Sequence, residues 1–331
     1  MTLCLSAVLA AVLTAFLAWD LGWSLLMILA GFAVSFCCFG LLLFSGKGGR
    51  LLCGLSIASP IIAYGAVAFG LIPRGTQGVL YFLLTCLAVN VALILLAFLF
   101  LVIVCARVDL NEPQAEHDDP FYRKVMYLYI EALMHLVLVK FTTKGLEKTP
   151  KEGRFLLVCN HLEIPDPGLL LHAFKDSQLA FISKKENMEM PIVNKFLHKT
   201  LCQNIDREDD RQGLRVILKC IQLLKNDEVS IGVFPEGWTS DDGRVRHFRP
   251  GAFKIAQKAN VPIVVCTLQN TQHIIPNIKK LKSTPVELHL VGVIPAEELK
   301  GVTTAQISDR VYEMMIADLG EDFRAIDTET P

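Results

Sequence analysis

The chain has 331 residues, 52% of them hydrophobic and 20% charged, with a formal net charge of −1. That length accommodates more than one domain, and the near-zero charge gives no electrostatic basis for nucleic-acid binding. Only four charged side chains, Asp20, Lys47, Arg50 and Arg74, precede Arg107, so a lipid-like N-terminal part is joined to a water-soluble C-terminal part.

The first elements in chain order are four apolar runs, about Leu3 to Ala18, Trp23 to Phe44, Leu51 to Ile72 and Val79 to Cys105. A hydrocarbon core takes roughly 17–25 apolar residues per helix, so these runs read as about four transmembrane helices that make residues 1–106 a transmembrane region. The first lacks the positively charged start of a signal peptide, and another span follows almost at once, so it reads as a retained anchor. No charged side chain lies mid-span, and Asn90 is the main polar residue there. That pattern favours anchoring over transport. The loop "SGKGGR" carries Lys47 and Arg50, and the chain after the fourth run carries Arg107, Arg123 and Lys124. The opposite loops hold Asp20 and Arg74. The positive-inside rule then places the N-terminus and the large domain on the cytoplasmic side of an integral membrane protein.

Residues 107–143 read as a linker followed by an interfacial helix. The hinge is "DLNEPQAEHDD", Asp109 to Asp119. The segment Phe121 to Phe141 either lies flat at a membrane surface or packs on the soluble domain.

From residue 144 to 331 strand and helix signals alternate. "RFLLVC" (Arg154 to Cys159), "QLAFIS" (Gln178 to Ser183), "VSIGVF" (Val229 to Phe234), "PIVVCTL" (Pro262 to Leu268) and "VELHLVGVI" (Val286 to Ile294) are short, β-branched and nearly all apolar. Strands covered on both faces have that character. Helical runs lie at Gly168 to Phe174, Arg211 to Lys225, Ala252 to Ala259 and Thr304 to Leu319. The fold class is α/β, with a mixed, largely parallel sheet flanked by helices. The ten cysteines make no C-x-x-C pair, so they read as small apolar residues kept reduced, with no metal site.

Chemistry enters at "VCNHLEIPDPG". Asp166-Pro167 is an ordinary helix start, an N-cap followed by proline. Yet His161 stands at the C-terminal end of a predicted strand, where open α/β sheets place ligands. A compact loop brings Asp166 back to the imidazole, fixing its tautomer and leaving the other ring nitrogen to take a proton. "FPEGWTSDDGRVRHFRPG" begins at the end of another strand and brings Glu236 and Gly237. "FISKK" and "NIDRED" bring Lys184, Lys185, Asp206 and Arg207. Cys159, beside His161, reads as a packing residue. His135, His172, His198, His247, His273 and His289 have no partner pattern, and Met188 and Met190 either line an acyl groove or pack a loop. No H-E-x-x-H, Walker loop or G-x-G-x-x-G is present.

The blocks "NHLEIPD", "FISKK" with "NIDRED", "FPEGWTS" and "PGAFKIAQKANVPIVV", in this order, resemble the glycerolipid acyltransferase family typified by 1-acylglycerol-3-phosphate acyltransferases (PlsC-like). The resemblance covers roughly Lys144 to Leu299. It implies transfer of an acyl chain from acyl-CoA or acyl-ACP, a co-substrate rather than a cofactor, to the free hydroxyl of a lysophosphatidic acid. The product is phosphatidic acid. His161 would be the general base and Asp166 its orienting partner. Asn160, Lys184, Arg207, Glu236, Gly237 and Pro262 would form the substrate-binding set, with Arg207 on the acceptor's phosphate and Pro262 on the acyl side. The implied partners are membrane lipids, the lysophospholipid acceptor and the acyl donor, and no nucleic acid. One position departs from the pattern. Where the family has Thr-Arg after Glu-Gly, this chain has Trp238-Thr239. Arg244, Arg246 or Arg249 would replace the missing arginine, or the three form a solvated basic loop. The departure keeps two alternatives open, another lysolipid or amino-lipid acceptor, and a catalytically silent lipid-binding scaffold.

Overall fold

A computed structural model describes residues 62–63, 66, 69–71, 76–206, 209–240 and 242–325. The first two expected spans, most of the third, and the charges at 20, 47, 50 and 74 lie outside the described residues. So does Arg207. The chain divides into two compact units, residues 1–106 and 107–331.

In the first unit, helix α1 (Thr76–Ala106) coincides with the fourth apolar run. Its 27 residues from Leu80 to Ala106 are long and apolar enough to cross a membrane. At 1.5 Å per residue they extend roughly 40 Å. The helix is apolar all round, with Leu84, Ile94, Leu96 and Phe98 exposed. That is the character of a segment whose solvent is lipid.

The second unit runs α2 (Pro120–Leu136), β1 (Val139–Lys144), β2 (Leu156–Cys159), α3 (Asp166–Ala173), β3 (Leu179–Lys184), α4 (Val193–Lys199), β4 (Gln203–Ile205) and α5 (Asp210–Lys225). It continues with β5 (Ser230–Val233), α6 (Lys254–Ala259), β6 (Ile263–Gln269), α7 (Ile274–Ile278), β7 (Thr284–Ile294) and α8 (Thr304–Leu319). The strands form one seven-stranded sheet in the order β1-β7-β6-β2-β5-β3-β4. All neighbours are parallel except β6 and β7. The expected mixed, largely parallel α/β sheet is therefore observed. The central strand β2 is fully buried along its length, and Phe155, Leu169, Leu170, Ile231, Phe253 and Ile255 fill the core around it.

Helix starts follow the local chemistry. The Asp119 carboxylate accepts from the Phe121 and Tyr122 N–H groups ahead of α2. Asp209 does the same for Arg211 and Gln212 at α5, and Thr303 with Gln306 forms a capping box on α8. Residues 107–143, expected as linker and interfacial helix, are part of the second unit. Arg123 is 4% exposed. It forks onto Asp118 at 2.6 and 2.7 Å and donates to the carbonyls of Leu179 (2.8 Å) and Thr200 (3.2 Å). These bonds fix α2 onto the domain and supply the partners that a buried guanidinium requires. The outer residues Phe121, Leu128, Leu133 and Leu136 stay exposed.

Residue size at β5 sets the packing that leads to the site. Phe181 on β3 lies opposite Gly232. A Cβ on Gly232 would stand 2.5 Å from the Phe181 ring, so only glycine lets that ring lie across the strand. Phe181 in turn stacks on Phe234, 5.5 Å between centroids. Gly232→Ala is expected to destabilise the domain by about 1–3 kcal/mol through overpacking, measured as a lower thermal midpoint of the purified chain. An unchanged midpoint would show that the ring has room to move.

Candidate active site

Strands β2, β3, β4, β5 and β6 run in one direction, so their C-terminal ends share one edge of the sheet. At β2 the chain order reverses. β3 and β4 lie on one side of it and β6 on the other. Such a switch point opens a crevice. Asn160 and His161 leave β2 there, Phe234 to Glu236 leave β5, and Lys184 ends β3.

The loop from β2 to α3 is built around one oxygen. Asp166 Oδ2 accepts from the Leu162 N–H at 2.7 Å and the Glu163 N–H at 2.9 Å. It also lies 2.9 Å from His161 Nδ1. Asp166 is fully buried, and its Oδ1 is buried with no hydrogen bond among the described residues. The helix begins one residue earlier than its sequence signal, with Pro165 as N-cap and Asp166 as first helical residue. The carboxylate therefore turns back to the loop instead of capping its own helix. An ionised carboxylate only accepts, so Nδ1 carries the hydrogen and Nε2 presents its lone pair. Among the described residues Nε2 has no hydrogen-bond partner. The ring stacks on Phe234, with centroids 4.1 Å apart and planes at 19°, and its side chain is 14% exposed. The Phe181–Phe234–His161 stack sets the plane of the imidazole, while Asp166 sets its rotation.

Two further side chains close the frame. Asn160, 1% exposed, donates to the Leu268 carbonyl (3.0 Å) and accepts from the Leu268 N–H (2.7 Å), tying the end of β2 to β6. Glu236, 2% exposed, accepts from the His161 N–H on Oε1 (2.7 Å) and from the Arg246 N–H on Oε2 (2.8 Å). The Ser240 N–H donates to the His161 carbonyl at 2.8 Å. The two loops are thus joined on both sides of Gly237 and Trp238. Burial pushes the Glu236 carboxyl up to about 8, with the Arg246 and His161 N–H groups pulling the other way. Cys159 is fully buried and its thiol is pushed well above the usual range by burial, so it offers no thiolate nucleophile.

Residues 140–269, which hold every group named so far, match the family model described as Acyltransferase. The match covers under half of the chain. A 1-acyl-sn-glycerol-3-phosphate acyltransferase of Borreliella burgdorferi is 25% identical over 196 residues, covering 59% of this chain and 78% of that protein. A chloroplastic 1-acyl-sn-glycerol-3-phosphate acyltransferase of Arabidopsis thaliana is 32% identical over 163 residues. That match covers 48% of this chain and 45% of the plant protein, so the chain spans under half the length of that relative. The solved structure of the 1-acyl-sn-glycerophosphate acyltransferase PlsC from Thermotoga maritima shares the fold. The TM-score is 0.51 and the identity 24%, covering 70% of this chain and 89% of that one.

Within the matched segment, the expected site residues divide by position. His161, Asp166, Asn160, Glu236 and Gly237 are held in one network, and Lys184 joins it by placing Nζ over the Trp238 ring, 5.8 Å from its centroid. Lys185 forms an exposed ion pair with Asp206 at 3.0 Å. Pro262 is not brought to this group. Its carbonyl accepts from the Leu156 N–H, at the opposite end of the sheet from His161. A C-terminal brace also supports the site, and no sequence motif marks it. The Val245 N–H donates to the Phe323 carbonyl (2.8 Å), the Tyr312 hydroxyl donates to the Val245 carbonyl (3.3 Å), and the Ala325 N–H donates to that hydroxyl (2.9 Å). Helix α8 and the segment after it thereby hold the loop whose Arg246 N–H binds Glu236. No local pattern announces such a contact, which pairs residues 67 apart.

Glu236→Gln tests the frame. An amide has one accepting oxygen for two N–H donors, and leaving a buried donor unpaired costs about 1–3 kcal/mol. The folded protein holds the Glu236 proton up to about pH 8, whereas an unfolded chain releases it near the ordinary carboxylate value. The stability from this group is therefore complete at low pH and is lost as pH rises through about 8. Thermal midpoints measured from pH 5 to 9 are expected to show the variant below the parent, with the gap narrowing as pH rises.

Proposed function

We propose that the chain transfers an acyl group from an acyl thioester, on coenzyme A or acyl carrier protein, to the free hydroxyl of a lysophosphatidic acid, giving phosphatidic acid. The observation that carries the reading is the His161 Nδ1–Asp166 Oδ2 contact of 2.9 Å, with Nε2 at the switch point making no hydrogen bond among the described residues. His161 Nε2 takes the proton from the acceptor hydroxyl as its oxygen attacks the thioester carbonyl. The imidazolium then gives that proton to the departing thiolate. Asp166 stabilises the imidazolium and keeps it in register. Because the acceptor supplies the hydroxyl, no serine or cysteine nucleophile on the enzyme is needed. Asn160, Glu236 and Gly237 hold the geometry of the two loops, Lys184 faces the acceptor, and Arg207 contributes to its phosphate. Pro262 acts only through the strand it begins. The names of the Borreliella and Arabidopsis relatives support a glycerol-phosphate acceptor.

We place the enzyme in a membrane. Helix α1 is the anchor in support of this, and Lys47, Arg50, Arg107 and Lys124 favour a cytoplasmic catalytic domain. Ile164, between the two catalytic residues, is 72% exposed, which suits an entrance that meets acyl chains. The Trp238-Thr239 pair favours one neighbouring reading, a different lysolipid acceptor.

Thiol release from acyl-CoA or acyl-ACP in the presence of lysophosphatidic acid tests the proposal. His161→Ala is expected to lower turnover by about 100- to 10,000-fold. Asp166→Asn is expected to impair it strongly by removing the anion that stabilises the imidazolium. A His161→Ala variant that keeps half its activity, or an Asp166→Asn variant that is unchanged, overturns the assignment.

A further inference from the structure

The connection from β6 to β7, residues 270–283, contributes no group to the His161 network, yet it crosses the same edge of the sheet. Strand β6 ends at that edge, and its last residue, Gln269, is in register with Glu287 of the antiparallel β7. The connection begins just past Leu268, whose backbone is held by Asn160. Its far end is tied to the end of α2, because the Thr284 N–H donates to the Leu138 carbonyl at 3.0 Å.

The chemistry of this connection is one-sided. From Asn270 to Val286 the chain has no acidic residue, while Lys279, Lys280 and Lys282 surround Leu281. All three lysines are exposed, and among the described residues none is in an ion pair. Leu281 is 84% exposed. A single exposed leucine is ordinary on a protein surface. A leucine with φ +51° is not. Its Cβ crowds the backbone in the left-handed region, where glycine or asparagine would make the same turn with less strain. The turn is also firmly held. The Lys280 and Lys282 N–H groups both donate to the Asn277 carbonyl at 2.9 Å, and the Leu281 N–H donates to the Ile278 carbonyl at 2.9 Å. The Asn277 amide donates to the Oγ1 of buried Thr284 at 3.1 Å. A fixed backbone thus presents an aliphatic side chain outward among cations. Ile275 on α7 and Leu136 at the end of α2 are exposed as well.

We infer that the Lys279–Lys282 turn docks the second unit on an anionic bilayer surface, with Leu281 inserted, so that the crevice beside it opens towards lipid. This rests on the placement of the enzyme in a membrane and adds a contact separate from α1. The leucine enters the boundary of the acyl region, and the ammonium groups stay among the phosphates. An acidic protein would also pair with the lysines. The exposed aliphatic residues, however, are spread over the turn, α7 and the end of α2, which matches a plane of lipid better than one pocket.

The test uses the full-length chain with vesicles of phosphatidylcholine, alone or mixed with phosphatidylglycerol, carrying brominated acyl chains. Leu281→Trp places a reporter on the turn, and the emission of the parent is subtracted. In anionic vesicles the reporter is expected to shift to the blue and to be quenched by bromine, and in neutral vesicles to be quenched far less. Each of Lys279→Gln, Lys280→Gln and Lys282→Gln is expected to lower the ratio of docked to free turn about fivefold. Amide exchange at residues 279–283 of the unsubstituted chain gives a second reading and is expected to slow in anionic vesicles. Incorporation of the chain with no quenching and no slowing at the turn overturns the docking and leaves the membrane placement standing. Equal quenching in both kinds of vesicle overturns the part assigned to the lysines. Slowing by an acidic acyl carrier protein but not by vesicles overturns the lipid surface in favour of a protein. Quenching at the turn in a chain that salt releases completely from the vesicles overturns α1 as an anchor and leaves the docking standing. A chain that stays out of both kinds of vesicle overturns both.

Discussion

The structure around the site depends on a single buried carboxylate oxygen. Asp166 Oδ2 gathers two backbone N–H groups and the imidazole. Without the backbone bonds, the loop between His161 and Asp166 would have no internal partner for those donors, and the ring would have no fixed rotation. The same oxygen that shapes the loop therefore orients the imidazole. A free aspartate in water would make these contacts only transiently. Here burial raises the strength of each contact and the cost of losing any of them.

A second constraint acts at right angles to the first. His161 is bonded at its ring by Asp166, at its N–H by Glu236 and at its carbonyl by the Ser240 N–H, and one face is covered by Phe234. These partners come from the β2–α3 loop and from the chain after β5, and the latter is braced by the C-terminal segment through Val245. The imidazole is thus positioned by parts of the chain far apart in sequence. Glu236 joins them at a cost, because burial favours its neutral form while its two N–H donors favour the anion.

Much of this was legible in the amino-acid order where the signal is local. The apolar runs of β2, β5 and β6 stand out because those strands are buried almost throughout, β3 is buried over its first half and β7 mainly on alternate residues, and α8 begins and ends where its pattern does. β1, "VKFTTK", was not recognised as a strand because it pairs only with β7 and most of its residues are not buried. β4 has three residues, too few to show a period. The pairing of His161 with Asp166 was readable because only four residues separate them. The role of Asn160 in joining β2 to β6 was not, since its partner Leu268 lies 108 residues away. Pro262 sits beside the core block in sequence but at the other end of the strand, since a strand of seven residues carries its two ends roughly 20 Å apart.

The central claim concerns which ring nitrogen of His161 bears the hydrogen, and nitrogen-15 NMR of the histidine-labelled chain reads it directly, with His161→Ala used for assignment among the eight histidines. The neutral ring is expected as the Nδ1–H tautomer, with a strongly deshielded Nδ1 proton that is lost in Asp166→Asn. An Nε2–H tautomer in the parent, or a His161 signal that Asp166→Asn leaves unchanged, would contradict the account.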